Sequence, residues 1–163
     1  MLLCAAFVFV MTPGLAMFYG GLVRKKNVVN TMMTSIFIIG VGIVMWVLFG
    51  YSLSFAPSGN VFIGDFRWLG LEGVSLTEGY TDDASIPNMV FSAFQMMFAV
   101  ITPALITGAV AGRMKFKSIF VFTIFWSLIV YYPLAHMVWG QGGLLGADGI
   151  GAVSYTHLTL PTT

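Results

Sequence analysis

Charged side chains interrupt this 163-residue chain at so few places that four long uncharged windows remain, residues 1–23, 27–64, 84–112 and 118–147. Each exceeds the roughly 20 residues that a helix needs to cross the hydrocarbon of a bilayer. In lipid the backbone must satisfy its own hydrogen bonds, which leaves helices or a closed barrel. Alternation of apolar and polar residues at period two, the mark of a membrane barrel, is absent. The chain therefore reads as an all-α membrane protein with four transmembrane helices, placed at residues 1–23, 34–55, 86–112 and 118–139.

Composition closes the other routes. Hydrophobic residues make up 58% of the chain and charged residues 8%, against about a quarter charged in an ordinary soluble domain. A water-soluble fold of this size would have too little polar surface. The high hydrophobicity and a net charge of +1 exclude disorder and remove the electrostatic footprint of nucleic-acid binding. The single cysteine, Cys4, can build neither a disulfide framework nor a thiolate metal site.

Of the seven basic residues, Arg24, Lys25 and Lys26 follow span one and Arg113, Lys115 and Lys117 follow span three, leaving Arg67 elsewhere. Basic loops stay in the cytoplasm, so the N-terminus is expected outside, together with the loop 56–85 and its acidic residues Asp65, Glu72, Glu78, Asp82 and Asp83. Met1 opens directly into apolar sequence without the basic region of a secretory signal, so the first window reads as a spanning helix whose native chain begins earlier. The glycine-rich outer loop is expected to carry one membrane-hugging turn at its apolar run Phe66–Leu71. Trp46, Trp68, Trp126 and Trp139 read as interfacial aromatics near or between span ends.

No Asp, Glu, Lys or Arg lies within a span, so the chain supplies no proton-relay carboxylate there. Nor do the spans hold a Ser, His and acid arrangement for catalysis, which speaks against an enzyme, and nothing calls for a metal or cofactor. Pro13, Pro103 and Pro133 each remove a helical hydrogen bond at membrane depth. Gly108 and Gly112, extended by Ala104 and Ala111, form a small-residue strip suited to close helix packing. Phe94 and Phe98 are four apart, so their rings share one face of span three, and Trp139 ends span four on the same side. Three such rings can bind a small cation, or they can simply pack against lipid or core; spacing leaves both open. His136, three residues before Trp139, fits a hydrogen-bonded structural role as readily as a titrating or metal-binding one.

Three stretches carry a resemblance: "MTPGLAMFYGGLVRKKNV" at residues 11–28, "FQMMFAVITPALITGAVAGRMKF" at 94–116 and "YYPLAHMVWGQGGLL" at 131–145. On these the chain resembles the ammonium transporters of the Amt/Mep/Rh family, in order, from residue 1 to about 152. The resemblance implies the first four spans of an eleven-span fold with its N-terminus outside, built from two inverted halves and assembled as a homotrimer with one pore per subunit. It implies ammonium or methylammonium as substrate, a cell-membrane location, and a PII-type regulator on the cytoplasmic face. By motif, Trp139 in "HMVWG" would be the recruiting indole, Phe98 in "MMFAVIT" a ring of the phenylalanine gate, and Phe94 the ring one turn outside it. Ammonium would then lose its proton, ammonia would cross an apolar pore, and the charge would follow separately.

The resemblance fades beyond residue 152. Gly151 and Ala152 fit, but Ser154 stands where the family has an aspartate, Tyr155 where it has a phenylalanine, and His157 misses the position of the pore histidine. Residues 153–163 are therefore expected to be a foreign or frameshifted tail, with the native sequence continuing into further spans. A fragment without those spans is not expected to conduct alone, which gives a second reading: a non-conducting piece acting as an interaction or dominant-negative subunit.

Overall fold

The computed structural model describes residues 1–57, 60–80, 86–111 and 113–145, and among these it is nearly all helical. The expectations for Gly112, Asp82, Asp83 and the tail from 153 fall outside the described residues. Among the described residues four helical stretches are long and apolar enough to cross a membrane: Leu2–Leu22, Lys25–Phe55, Asn88–Val110 and Phe116–Trp139. The elements are α1 (Leu2–Leu22), α2 (Val28–Met45), a π turn (Trp46–Gly50), α3 (Tyr51–Phe55), α4 (Asn88–Val110), α5 (Phe116–Trp126), a second π turn (Ser127–Tyr131) and α6 (Tyr132–Trp139).

The second helix begins at Val28, well before the expected residue 34, because its polar residues are satisfied within the helix. Thr34 donates its hydroxyl to the Asn30 carbonyl at 2.7 Å and Ser35 donates to the Thr31 carbonyl at 3.2 Å, so neither breaks the apolar environment with an unpaired group. Pro133 is the second residue after the second π turn. A proline has no N–H and its ring crowds the carbonyl four residues back, and a local π turn relieves that crowding without ending the helix.

The chain divides into two compact units. The first comprises Met1–Trp46 and Val74–Ser127, where α1, α2 and α4 pack against one another and α5 joins α2 and α4. α1 turns its small face inward, burying Ala5, Thr12, Ala16 and Gly20, and exposes Leu3, Phe7, Val10 and Phe18. Between spanning helices small residues permit close backbone approach, and dispersion rather than water exclusion supplies the attraction. Ile38, Ala104 and Ile119 form the core, with Leu15 and Val110 packed on it. Gly108 takes part in this packing within the chain: a methyl group there would collide with the ring of Tyr19, whose hydroxyl donates to the Leu105 carbonyl at 3.0 Å.

The tryptophans correct one expectation. Trp46 lies within the second helical stretch, 1% exposed, and donates its indole N–H to the Ser92 hydroxyl at 3.4 Å, so it is a packing residue and not an interfacial one. Trp126 likewise lies inside the fourth stretch, away from its ends. An indole within a spanning segment needs a partner for its N–H, and Ser92 supplies one to Trp46.

The second unit comprises Val47–Gly73 and the chain from Leu128 onward. Here α3 packs on α6, with Gly50 seated against the Tyr132 ring. The loop after α3 folds back on it: Gly64 donates its N–H to the Leu53 carbonyl at 2.7 Å, and Trp68 stacks on Tyr51 with ring centroids 5.5 Å apart. The apolar run Phe66–Leu71 does turn, as a 3-10 turn at Leu69–Leu71 in which Gly70 and Leu71 take positive φ and Phe66 is exposed. Ser52, fully buried, ties this loop down by donating to the Asp65 carbonyl at 2.6 Å and accepting from the Trp68 N–H at 3.0 Å. Ser52→Ala leaves both groups unpaired and is expected to destabilise the unit by about 1–3 kcal/mol. Detergent-titrated unfolding of the reconstituted chain measures it; an unchanged midpoint would show that water replaces the hydroxyl.

Candidate functional site

Phe94 and Phe98 lie on α4, one turn apart, and the helix brings their rings into a T-shaped pair with centroids 5.1 Å apart at 77°. An edge-to-face pair suits the ring quadrupoles and leaves both faces of the ring that presents its edge uncovered by the other. Phe98 is 36% exposed and Phe94 half-buried, so the pair is available to a guest at the first unit's surface. Below it the Thr102 hydroxyl donates to the Phe98 carbonyl at 2.6 Å, and Pro103, fully buried, leaves the Ala99 carbonyl without its helical donor.

Two aromatic residues of this region escaped the sequence reading. Phe91 shares the face of Phe94 and Phe98 by helical spacing, and Tyr80 stacks on it with centroids 4.8 Å apart and planes at 10°. The signal for Phe91 was its i, i+3 relation to Phe94. No local pattern announces Tyr80, which comes from the preceding loop. The loop is held to the start of α4 by the backbone, Asn88 donating to the Glu78 carbonyl at 2.8 Å and Met89 to the Ser75 carbonyl at 3.1 Å.

Trp139 belongs to the second unit, where it is the last residue of α6 and 46% exposed. Its setting is built by glycines. Gly140 donates its N–H to the His136 carbonyl, Gly143 donates to Gly140, Gly142 takes a positive φ of 78°, and Leu145 returns to the Met137 carbonyl at 2.8 Å. A Cβ at Gly143 would overlap the His136 carbonyl, and one at Gly140 would lie 2.5 Å from the His136 ring. The chain thus turns back tightly over His136 and leaves the indole outside the turn.

His136 is fully buried. Its Nδ1 lies 3.1 Å from the Ser54 carbonyl and its Nε2 3.1 Å from the Asn60 carbonyl, which is the hydrogen-bonded structural role open to it in sequence. In the loop of this unit Arg67 and Asp65 form an exposed surface pair at 3.7 Å, an arrangement worth about 0–1 kcal/mol.

The Phe94–Phe98 pair is aromatic and uncharged, suited to a small cation or an apolar guest. Known proteins sharpen this. The sequence model of the Ammonium Transporter Family matches residues 1–153. The chain is similar to an ammonium transporter of Bacillus subtilis, 48% identical over 161 residues covering 98% of this chain and 39% of that protein. It is similar to a putative ammonium transporter of Methanothermobacter thermautotrophicus at 41% identity over 162 residues, 40% of that protein. Its fold is similar to the crystal structure of Candida albicans Mep2, with a TM-score of 0.77 and 32% identity, over 87% of this chain and 31% of that one. The chain thus spans about two fifths or less of the length of these relatives.

Proposed function

Because this chain belongs to the ammonium transporter family, we propose that it forms the first four spans of a protein that carries ammonium or ammonia across the cell membrane. The observation that carries the reading is the T-shaped pair of Phe94 and Phe98, partly open to a guest on a spanning helix without charged residues. In this proposal Trp139 recruits ammonium at the outer mouth, Phe94 receives it, and Phe98 is a ring of the gate beyond. Each ring face contributes about 0.5–2 kcal/mol to a cation, more as water leaves. Past the gate an unpaired ammonium ion would meet a prohibitive desolvation cost in hydrocarbon, so the proton comes off and neutral ammonia crosses.

The basic loops after the first and third helices support an orientation with the N-terminus outside. The family frame adds a homotrimer and a PII-type regulator to the proposal. No charged residue lies on α1, α2 or α4, so the second half of such a protein would supply the proton path.

The test joins residues 1–152 of this chain to the matching remainder, about three fifths, of the Bacillus subtilis relative and measures methylammonium uptake in cells lacking their own ammonium transporters. Uptake is expected from the joined protein and not from the 163-residue chain. In the joined protein Trp139→Ala is expected to raise the half-saturating concentration about 2- to 30-fold, the equivalent of one cation–π contact. Unaltered capture in Trp139→Ala would remove the recruiting role. A non-conducting chain that lowers the uptake of a co-expressed full-length relative would favour the interaction-subunit reading.

A further inference from the structure

At the basic-loop end of the first unit, helices α2, α4 and α5 frame a small polar cavity of about 20 Å³, lined by the buried Thr31, Thr34, Thr107 and Ile119 with the exposed Asn30 and Met114 at its rim. About 10–15 Å³ is enough to admit one water-sized molecule, so the cavity holds a single guest of that size. The hydroxyls around it are almost all committed. Thr34 donates its proton to the Asn30 carbonyl at 2.7 Å, Thr107 to the Ala104 carbonyl at 2.7 Å, and Ser35, beside them, to the Thr31 carbonyl at 3.2 Å. Ser35 and Thr107 oxygens lie 3.3 Å apart, so either hydroxyl can turn from its carbonyl to donate to the other and link α2 to α4. The Thr31 hydroxyl, on a residue only 5% exposed, has no hydrogen bond to the described residues.

A hydroxyl whose proton serves a carbonyl offers only lone pairs to its other side. The cavity therefore presents acceptors at Thr34 and Thr107 and one rotatable hydroxyl at Thr31, all at least nine-tenths buried. Its guest must donate hydrogen bonds. No carboxylate lines the wall, and Arg113 and Lys115 stand in sequence next to the wall residues Met114 and Phe116, so a cation would enter without a counter-charge. Burying an unpaired charge is costly, whereas a neutral donor satisfies the wall without that penalty.

We propose that this cavity is a binding site for one neutral, water-sized hydrogen-bond donor, water or ammonia, that bridges α2 and α4 alongside the Ser35–Thr107 contact. The transport reading is not a premise, since water alone completes the site. The guest gives the Thr31 hydroxyl a partner inside the cavity.

The experiment uses the full 163-residue chain, isotope-labelled and reconstituted in lipid nanodiscs. Nuclear magnetic resonance measures cross-relaxation from water to the amides and hydroxyls of Thr31, Thr34 and Thr107, then repeats it with nitrogen-15 ammonium chloride at alkaline pH. A long-lived water cross-peak identifies water as the guest, and a nitrogen-15-filtered cross-peak identifies ammonia; either supports the site. Thr107→Val keeps the shape and removes the acceptor, and is expected to abolish the cross-peak at Thr31 while the remaining amide spectrum persists; Thr31→Val serves the same purpose from the other wall. Absence of both cross-peaks in the unaltered chain would overturn the proposal. So would a signal that appears only with ammonium at acidic pH and is displaced by potassium, because that guest would be a cation.

Discussion

Gly108→Leu is expected to cost the first unit about 2–4 kcal/mol and to separate α1 from α4. Even a methyl group at this position would overlap the Tyr19 ring, and the ring has little freedom to leave, because its hydroxyl is bonded to the Leu105 carbonyl at 3.0 Å. Overpacking of this kind costs about 1–3 kcal/mol, and losing the tyrosine bond adds about 1 kcal/mol. In a bilayer no hydrophobic force pulls the helices together again, so the lost contact is not recovered elsewhere. Unfolding of the reconstituted chain by a detergent titration measures the loss. Gly21→Leu is the control, since nothing lies within 4 Å of a side chain added there, and it should shift the midpoint by a few tenths of a kcal/mol. Tyr19→Ala should partly rescue Gly108→Leu, giving a coupling between the two positions. Equal effects at Gly108 and Gly21 would show that α1 and α4 do not meet through this glycine.

The contrast between these glycines marks what the sequence can and cannot reveal. Uncharged windows located the four spanning helices, because in lipid a helix is the cheapest way to satisfy the backbone and charges mark its ends. The second helix starts at Val28, ahead of the expected span start at residue 34, because hydroxyls donating to carbonyls one turn back let the helix run through its polar first turns. The small-residue strip on α4 was legible, but not that Tyr19 fills it. The Phe94 and Phe98 pair could be read from its spacing; Tyr80 stacking on Phe91 could not, because it depends on how a loop returns to a helix. Trp46 shows the opposite failure. Tryptophan is enriched at membrane interfaces, yet an indole whose N–H finds Ser92 is stable within a spanning segment.

His136 carries the same lesson to the surroundings of Trp139, and His136→Phe is expected to be the most damaging change in the second unit. The ring bridges the Ser54 carbonyl and the Asn60 carbonyl, partners 82 and 76 residues away in sequence. Phenylalanine brings a somewhat larger ring and removes every N–H. A neutral imidazole has one N–H, so one carbonyl loses its donor at about 1–3 kcal/mol, and fitting a larger ring into this fully buried site adds about 1 kcal/mol, a total of about 2–4 kcal/mol. The effect should be local as well as global, because the ring lies between the end of α3 and the loop that follows. Arg67 is exposed in that loop, so limited trypsin digestion after Arg67 should accelerate in His136→Phe and stay unchanged in Gly21→Leu. The turn that follows Trp139 rests on the same residue, since Gly140 and Gly143 lie against the His136 ring and carbonyl. In the joined transporter His136→Phe should therefore weaken methylammonium capture through the placement of Trp139, and Trp139→Ala combined with it should add little further loss. Additive losses would mean that His136 holds the fold while Trp139 is positioned by something else.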